Sequence, residues 1–169
     1  VRKSFGFQMR YDLSNGFPAI TTKKLAWKSV VSELLWFIEG SNEERRLVEI
    51  LYNDKRENLT DKKTIWTQNA KSDYWLPKSK FEGDVGQIYG VQWRNFNGED
   101  QLLNLINGLK NNPNSRRHII SSWNPPELKN MSLPPCHVFS QFYISNNKLS
   151  CQLYQRSCDM FLGVPFNIA

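Results

Sequence analysis

The first part of the chain alternates between apolar and polar positions. The apolar positions are Phe5, Phe7, Met9, Tyr11 and Leu13. A period of two residues is typical of a strand with one buried face. The pattern therefore predicts a half-buried strand over residues 5–13, which ends in the turn-forming residues Ser14-Asn15-Gly16.

Beyond this segment, apolar residues recur at every third or fourth position, which is typical of helices. The spacing predicts a helix over Lys28–Glu39 that ends at Gly40. The motif Ser41-x-x-Glu44 predicts a capping box for a second helix that runs through Tyr52. A third helix is predicted over Gln101–Asn112. Its apolar face consists of Leu102, Leu105, Ile106 and Leu109.

The last third of the chain returns to the strand pattern. Strands are predicted near Arg116–Trp123, His137–Ser145 and Lys148–Arg156, and Asn146-Asn147 predicts a two-residue hairpin turn between the last two. Helices come early and antiparallel strands come late. This order favours an α+β fold, with helices packed on one face of a mixed, largely antiparallel sheet.

Length and composition fit one globular domain or part of a larger one. The chain has 169 residues, of which 40% are hydrophobic and 22% charged, so it can form a core. Its longest apolar run, Leu34–Ile38, is far shorter than the roughly 18 residues of a membrane span. The chain lacks an initiator methionine and ends at Ala169 without a stop signal, so we expect a truncated single domain over residues 1–169.

Charge and cysteine content narrow the possible functions. The net charge of +6 permits an anionic ligand, but the basic residues form no basic-aromatic stripe, so nucleic-acid binding is only weakly supported. Three cysteines cannot all pair within the chain, which indicates a reducing, cytoplasmic setting. No spacing of histidines and cysteines is typical of a metal site.

One acidic residue stands out in the first predicted helix. This helix is apolar nearly all round, which predicts burial, and the neighbours of Glu33 include Trp36 and Phe37. Burial would raise the pKa of a carboxyl group and suit it to proton transfer. The alternative is a carboxylate at the helix edge that keeps its charge in water.

A thiol and an imidazole stand together at the start of the hairpin. The Asn146-Asn147 turn predicts a register in which Cys136 lies opposite Ser157 and His137 lies opposite Arg156. In that register Arg156 points away from Cys136, so one ligand could meet both only with a β-bulge or with a strand that begins after Cys136. A nucleophile is one interpretation of Cys136, and a small buried apolar residue is the other.

Several collinear motifs are similar to those of the thymidylate synthase family. They are Gly16-Phe17-Pro18, Thr21-Thr22-Lys23-Lys24, the run from Glu33 to Phe37, the run from Ile88 to Arg94, Ser115-Arg116-Arg117, the run from Leu133 to His137, the run from Gln152 to Asp159, and the run from Phe161 to Ala169. The resemblance covers the chain from end to end. It implies that the chain is the middle portion of a synthase, without the N-terminal phosphate loop and the C-terminal third.

The resemblance implies the reductive methylation of dUMP to dTMP, with 5,10-methylenetetrahydrofolate as one-carbon and hydride donor and no metal. It also implies a homodimer that associates through a sheet face, and an isolated fragment without activity. The implied catalytic residues are Glu33, Tyr89, Cys136, His137 and Asp159. The implied substrate-binding residues are Gln155, Arg156, Ser157 and Asn167, together with Arg116 and Arg117 donated across the dimer interface. The implied folate-binding residues are Ile65, Trp66, Asp159, Leu162, Gly163 and Phe166.

One departure from the family pattern concerns folate packing, and one other residue bears on the choice between related functions. Asn69 occupies a position where the family usually has a second Trp. A deoxycytidylate hydroxymethylase of the same fold is the main alternative, and it has an Asp at the base-reading position. Asn167 favours uracil, because its amide can donate to a carbonyl oxygen and accept from N3–H. A nucleic-acid-binding module is the other alternative, and the implied catalytic set makes it less favoured.

Overall fold

We describe the fold from a computed structural model of the chain over residues 2–168. Six helices and three strands form an α+β fold in this range, as the sequence predicts. The helices are α1 Trp27–Glu39, α2 Glu44–Tyr52, α3 Thr67–Ala70, α4 Tyr89–Arg94, α5 Gln101–Asn111 and α6 Gly163–Ile168. The strands are β1 Ile119–Ser121, β2 His137–Ser145 and β3 Lys148–Gln155. Short 3-10 helices are Leu13–Asn15, Arg56–Asn58, Leu76–Lys78 and Pro125–Asn130.

The prediction of a strand over residues 5–13 is wrong. This segment is irregular and ends in the 3-10 helix Leu13–Asn15. Its side chains are largely exposed, and Phe5 is fully so. A strand is stabilised by a hydrogen-bonded neighbour and a covered face, and within residues 2–168 this segment has neither.

The first two helices lie close to their predicted bounds. Gly40 ends α1 with a φ of 75°, and a Cβ there would come within 2.8 Å of the Arg94 side chain, so glycine is needed for both backbone and space. The predicted capping box is wrong, because Glu43 is the N-cap of α2 and the Ser41 hydroxyl accepts from the Glu43 N–H at 3.2 Å. Glu44 is instead buried and accepts hydrogen bonds from two threonine hydroxyl groups, of Thr64 and Thr67.

The core forms where α1 meets α4. Trp36, Phe37, Trp66 and Tyr89 are buried there, with ring centroids 5.0–6.2 Å apart. Gly90 permits this close approach, because a Cβ at that position would lie 2.7 Å from the Phe37 carbonyl oxygen. The aromatic packing thus fixes the position of Tyr89, which begins α4.

The other face of α1 is predicted to be buried, but it is partly exposed. Within the described part of the chain, its apolar residues remain partly open to solvent. They are Trp27, Val31, Leu34, Leu35 and Ile38, which are 37–49% exposed. The pattern predicts that this helix is apolar on most sides, but only the side with Ser32, Trp36 and Phe37 is buried here.

The sheet has the order β1-β2-β3, and both pairings are antiparallel. Asn146 and Asn147 form the predicted turn, with φ values of 51° and 58° that suit a two-residue hairpin of the type I′ kind. The predicted register holds from Phe139↔Tyr154 to the turn. It is wrong beyond Phe139, because an irregularity between His137 and Phe139 pairs His137 with Gln155 instead of Arg156.

Helix α5 packs against the sheet beside β1. The Asp100 side chain caps its first turn by accepting from the Leu103 N–H at 2.9 Å. Of the predicted apolar face, Leu105 is buried, Leu102 and Leu109 are half-buried, and Ile106 is 42% exposed. The Gln101 side chain bonds to both the N–H and the carbonyl of Ser121, which joins the start of α5 to β1.

Candidate active site

Cys136 lies immediately before β2, so the strand begins after the thiol. The N–H of Cys136 donates to the Tyr89 hydroxyl oxygen at 2.7 Å, and its carbonyl accepts from the Arg156 N–H at 3.0 Å. The bulge at Val138 produces this register shift. Both features under which one ligand could meet Cys136 and Arg156 are therefore present, namely the register irregularity and a strand that begins after Cys136.

The Arg156 guanidinium is held by the loop that precedes Cys136. Its Nε donates to the Pro135 carbonyl and its Nη2 donates to the Pro134 carbonyl, both at 2.8 Å. The guanidinium carbon also lies 5.6 Å from the centroid of the Trp123 ring. A cation with fixed orientation thus lies next to the cysteine.

Tyr89 and His137 form the buried side of the cluster of residues around Cys136, with ring centroids 5.7 Å apart. Burial raises the pKa of the Tyr89 hydroxyl to about 12, so the phenol stays protonated at neutral pH. Burial also lowers the pKa of His137, although its hydrogen bond with Asn167 opposes this. The imidazole is therefore predominantly neutral near pH 7 and can accept a proton.

Asn167 reaches the cluster from α6. Its Oδ1 accepts from Gln155 Nε2 at 2.8 Å. This bond orients the amide, so a polar residue of the hairpin fixes which edge Asn167 presents. The pattern analysis does not predict the helix that carries Asn167.

Glu33 projects from α1 towards the same region. The Trp66 indole N–H donates to Glu33 Oε1, and the carboxyl group is half-buried. Burial raises the pKa of Glu33, and the hydrogen bond from Trp66 partly offsets the rise. The contact favours the buried interpretation of Glu33 over a charge held in water at the helix edge.

Asp159 shapes the turn before α6. Its Oδ1 accepts from the N–H groups of Phe161 and Leu162 at 2.9 and 2.6 Å. Its carbonyl accepts from Gly163 and Val164. Asp159 thus holds a turn that leaves Leu162 60% exposed and Phe166 half-buried.

Other residues implied by the resemblance lie at the margin of this cluster. Ser157 is exposed directly after Arg156. Ile65 is 75% exposed beside the buried Trp66, and the half-buried Asn69 lies one turn further along α3. Arg116 and Arg117 are exposed before β1, and within residues 2–168 no hydrogen bond or ion pair joins their side chains to the cluster. The structure thus gathers Cys136, His137, Tyr89, Gln155, Arg156 and Asn167, and it leaves these two arginines apart.

Two groups at the site are missed by the sequence reasoning. Trp123 lies against Arg156, and Lys23 donates to the Phe161 carbonyl at 3.1 Å with its Nζ 4.8 Å from the Phe161 ring centroid. The Thr-Thr-Lys-Lys motif, which resembles the family, could have indicated that Lys23 lies near the site. Nothing in the sequence marks Trp123 as a site residue, because a Trp is usually part of a core.

The cavity of about 460 Å³ against α2 is a different feature. It contains no residue of the Cys136 cluster, and Arg56 on its wall forms ion pairs with Glu43 and Glu49. In the described range, no group of three or more His, Cys, Asp or Glu side chains could hold a metal ion. No helix in that range is long and apolar enough to cross a membrane.

Comparison with known proteins identifies the family. The family model described as thymidylate synthase matches residues 1–169. The thymidylate synthase of Mycoplasma genitalium is 52% identical, over 98% of this chain and 61% of its own length. The enzyme of phage T4 is 48% identical, over 98% of this chain and 56% of its own length. The crystal structure of thymidylate synthase from T4 phage superposes with a TM-score of 0.87 at 49% identity, over 95% of this chain and 54% of that one.

The chain thus spans about three-fifths of the length of these relatives. The match is not confined to one motif, since it extends over both the helices and the hairpin that carries Cys136. The chain belongs to the thymidylate synthase family.

Proposed function

We propose that the protein containing this chain methylates dUMP to dTMP, with 5,10-methylenetetrahydrofolate as one-carbon and hydride donor. The observation that carries the proposal is the position of Cys136. Its N–H contacts the Tyr89 hydroxyl, its carbonyl contacts Arg156, and His137 follows it in the chain. A nucleophile, a proton carrier and an anion-binding group thus lie together at one end of the hairpin.

The thiolate of Cys136 bonds to C6 of the uracil ring. The C5=C6 electron pair then moves towards C5 and, by conjugation, onto O4, so C5 becomes a carbon nucleophile. C5 would bond the donated carbon as one of that carbon's two bonds to folate nitrogen breaks, and C5 would then lose its proton as the second carbon–nitrogen bond breaks. When the hydride reaches that carbon, an electron pair re-forms C5=C6 and the S–C6 bond breaks, so Cys136 leaves as a thiolate. When bound, the folate supplies the carbon and then the hydride that completes the methyl group.

Proton movement around the ring requires groups that exchange protons without carrying a fixed charge. The neutral His137 and the protonated Tyr89 both satisfy this, because burial shifts their pKa values in the required directions. Glu33, whose pKa is raised by burial, manages protonation near O4 and the folate. Tyr89 assists removal of the C5 proton as part of a relay.

The base is read by Asn167. Its amide can donate to O4 and accept from N3–H, and the hydrogen bond from Gln155 restricts its rotation. The 5′-phosphate is bound by Arg156 and Ser157. Arg156 retains N–H groups beyond those bound to the two proline carbonyls, because a guanidinium has five.

Arg116 and Arg117 complete the phosphate site of a second copy of the chain. Their exposed position before β1, away from Cys136 of their own chain, supports this assignment. The sheet face with Phe139, Tyr143 and Tyr154 is also exposed and lies opposite the face on which Ile120 is buried. We therefore propose a homodimer that associates through this face.

The residues near α3 and α6 fit a folate. Ile65 and Leu162 are apolar and largely exposed, the buried Trp66 directly follows Ile65, and Asp159 carries a carboxylate able to accept from a pterin. Gly163 and Phe166 complete that side. The three cysteines are free thiols, which is consistent with a cytoplasmic enzyme built around one catalytic domain.

The proposed function is tested with the protein expressed from the complete reading frame. We expect dTMP formation that requires both dUMP and the folate, and a loss of at least about a thousandfold in Cys136→Ala. Cys151→Ala is the matched control, because Cys151 lies on β3 away from the cluster. Turnover of dCMP in preference to dUMP would instead identify a hydroxymethylase. The fragment of residues 1–169 should be inactive.

The dimer is tested by complementation. A Cys136→Ala subunit retains its arginines, and an Arg116→Ala/Arg117→Ala subunit retains its thiol. Mixed dimers would then contain one complete site, so an equal mixture should recover about a quarter of wild-type activity. No recovery in a mixture shown to exchange subunits would refute donation of these arginines across the interface.

A further inference from the structure

The orientation of Arg156 depends on an aromatic ring as well as on hydrogen bonds. Two of its five N–H groups bond inward to the carbonyls of Pro134 and Pro135. The guanidinium carbon lies 5.6 Å from the Trp123 ring centroid, within the range of a cation–π interaction. Within residues 2–168 no other hydrogen bond is formed by this guanidinium, and Arg156 is exposed, so its remaining N–H groups are available to a ligand.

Trp123 is itself fixed by the β-bulge. The Val138 carbonyl accepts from the N–H of Ser122 at 2.8 Å and from the N–H of Trp123 at 3.3 Å. The same irregularity shifts the register that joins Arg156 to Cys136. The bulge therefore sets the positions of Cys136, Arg156 and Trp123 together. A regular antiparallel pairing would not hold Trp123 and Arg156 through the same backbone feature.

We propose that Trp123 is a positioning residue for the phosphate site, and that its ring holds the Arg156 guanidinium in the orientation that binds the 5′-phosphate. This rests on the proposed role of Arg156 as a phosphate ligand. An arginine side chain has several rotatable bonds, so a group that fixes it before binding reduces the entropy lost when the nucleotide binds. Trp123 does not touch the reacting atoms in this arrangement. Its loss should raise the KM for dUMP and leave kcat close to the wild-type value.

The first experiment weakens the interaction without changing the shape of the ring. Tryptophans with one, two and three fluorine atoms are introduced at position 123 alone, in the protein from the complete reading frame. Fluorine withdraws electron density from the ring face, so dUMP affinity should fall stepwise, by about threefold to thirtyfold over the series. Affinity that is independent of fluorine number would overturn the proposal.

The second experiment uses ordinary variants. Trp123→Leu should raise the KM for dUMP by about threefold to thirtyfold, whereas Trp123→Phe, which keeps an aromatic face, should retain most of the affinity. Adding Trp123→Leu to Arg156→Gln should have less than about a twofold further effect, because the partner is already lost. A full effect of Trp123→Leu in that background would show that the ring acts on the fold and not through Arg156.

The two hypotheses fail in different ways. If Arg156→Gln alone leaves the affinity for dUMP unchanged, the proposed phosphate role of Arg156 is wrong, and the inference about Trp123 is wrong with it. If Arg156→Gln weakens dUMP binding but the fluorinated series does not, only the inference about Trp123 is wrong. Deoxyuridine, which lacks the phosphate, provides the control ligand, and its affinity should not change along the fluorinated series.

Discussion

Replacing Tyr89 by Phe removes one oxygen atom from the centre of the proposed site. That hydroxyl accepts the Cys136 N–H at 2.7 Å, and its ring is packed among Phe37, Trp66 and His137. Phe keeps the ring and its packing. The change therefore tests the hydroxyl alone, in a residue that is only 6% exposed.

The expected effect has two parts. A part-buried N–H that loses its acceptor costs about 1–3 kcal/mol, which corresponds to a fall in Tm of about 2–4 °C per kcal/mol in a protein of about 150–250 residues. Loss of a positioned proton carrier costs a further factor of about 10²–10⁴ in rate. Because the pKa of Tyr89 is raised to about 12, its ionisation should contribute no limb to the pH–rate profile near neutrality.

The assay is kcat for dTMP formation at saturating dUMP and folate, in the protein from the complete reading frame, measured beside the thermal midpoint of each variant. Tyr52→Phe is the matched control, because Tyr52 lies on α2 and is 40% exposed. We expect kcat of Tyr89→Phe to fall by about 10²–10⁴-fold while dUMP binding changes little. A variant with kcat within threefold of wild type would refute the proton-carrying role of Tyr89.

Three further predictions concern single side chains. Asn167→Asp should shift the ratio of kcat/KM values for dUMP and dCMP towards dCMP, because a protonated carboxyl group can match the cytosine edge. An unchanged ratio would show that Asn167 does not bind the base edge. His137→Gln should reduce the loss of unfolding free energy that occurs as the pH falls below about 6.5, because burial lowers the pKa of His137 and the unfolded chain therefore binds more protons there. Urea unfolding at pH 7 and pH 5 measures the change in unfolding free energy, and an equal change in variant and wild type would contradict this prediction. Ser132→Ala should leave the free energy of unfolding unchanged or raise it by about 1–3 kcal/mol, because the buried Ser132 hydroxyl has no hydrogen-bond partner within residues 2–168. A large fall in the free energy of unfolding would show that the hydroxyl does form a hydrogen bond.

Local signals were sufficient for much of the fold. Alternation and a turn that favours positive φ predicted the hairpin from Phe139 to Tyr154, and Gly40 predicted the end of α1. The short helix α4 gives no helical period, because six residues span less than two turns, and its place is set by packing against Phe37. The segment over residues 5–13 has a strand-like pattern, but alternation cannot supply the neighbouring strand that it requires.

The site required information that no local pattern contains. The hairpin register brought Cys136, His137 and Arg156 near one another, but the bulge at Val138 that determines their pairing has no sequence signature there. Glu33 stood out as a carboxylate in an apolar helix, whereas its partner Trp66 lies more than thirty residues away. Contacts of this kind follow from the fold, so the family resemblance, rather than residue spacing, predicted roles for Tyr89 and Asn167.

Release of tritium from C5-labelled dUMP tests the central claim most directly, because C5 loses its hydrogen only after a nucleophile has bonded to C6. In the protein from the complete reading frame, we expect Cys136→Ala to abolish this release, and Cys151→Ala and Cys158→Ala to retain most of it. Both control cysteines are exposed in the described structure, and neither forms a hydrogen bond to Tyr89. Release from Cys136→Ala at a rate near that of the wild type would contradict the account, because the C6 adduct would then form without this thiol.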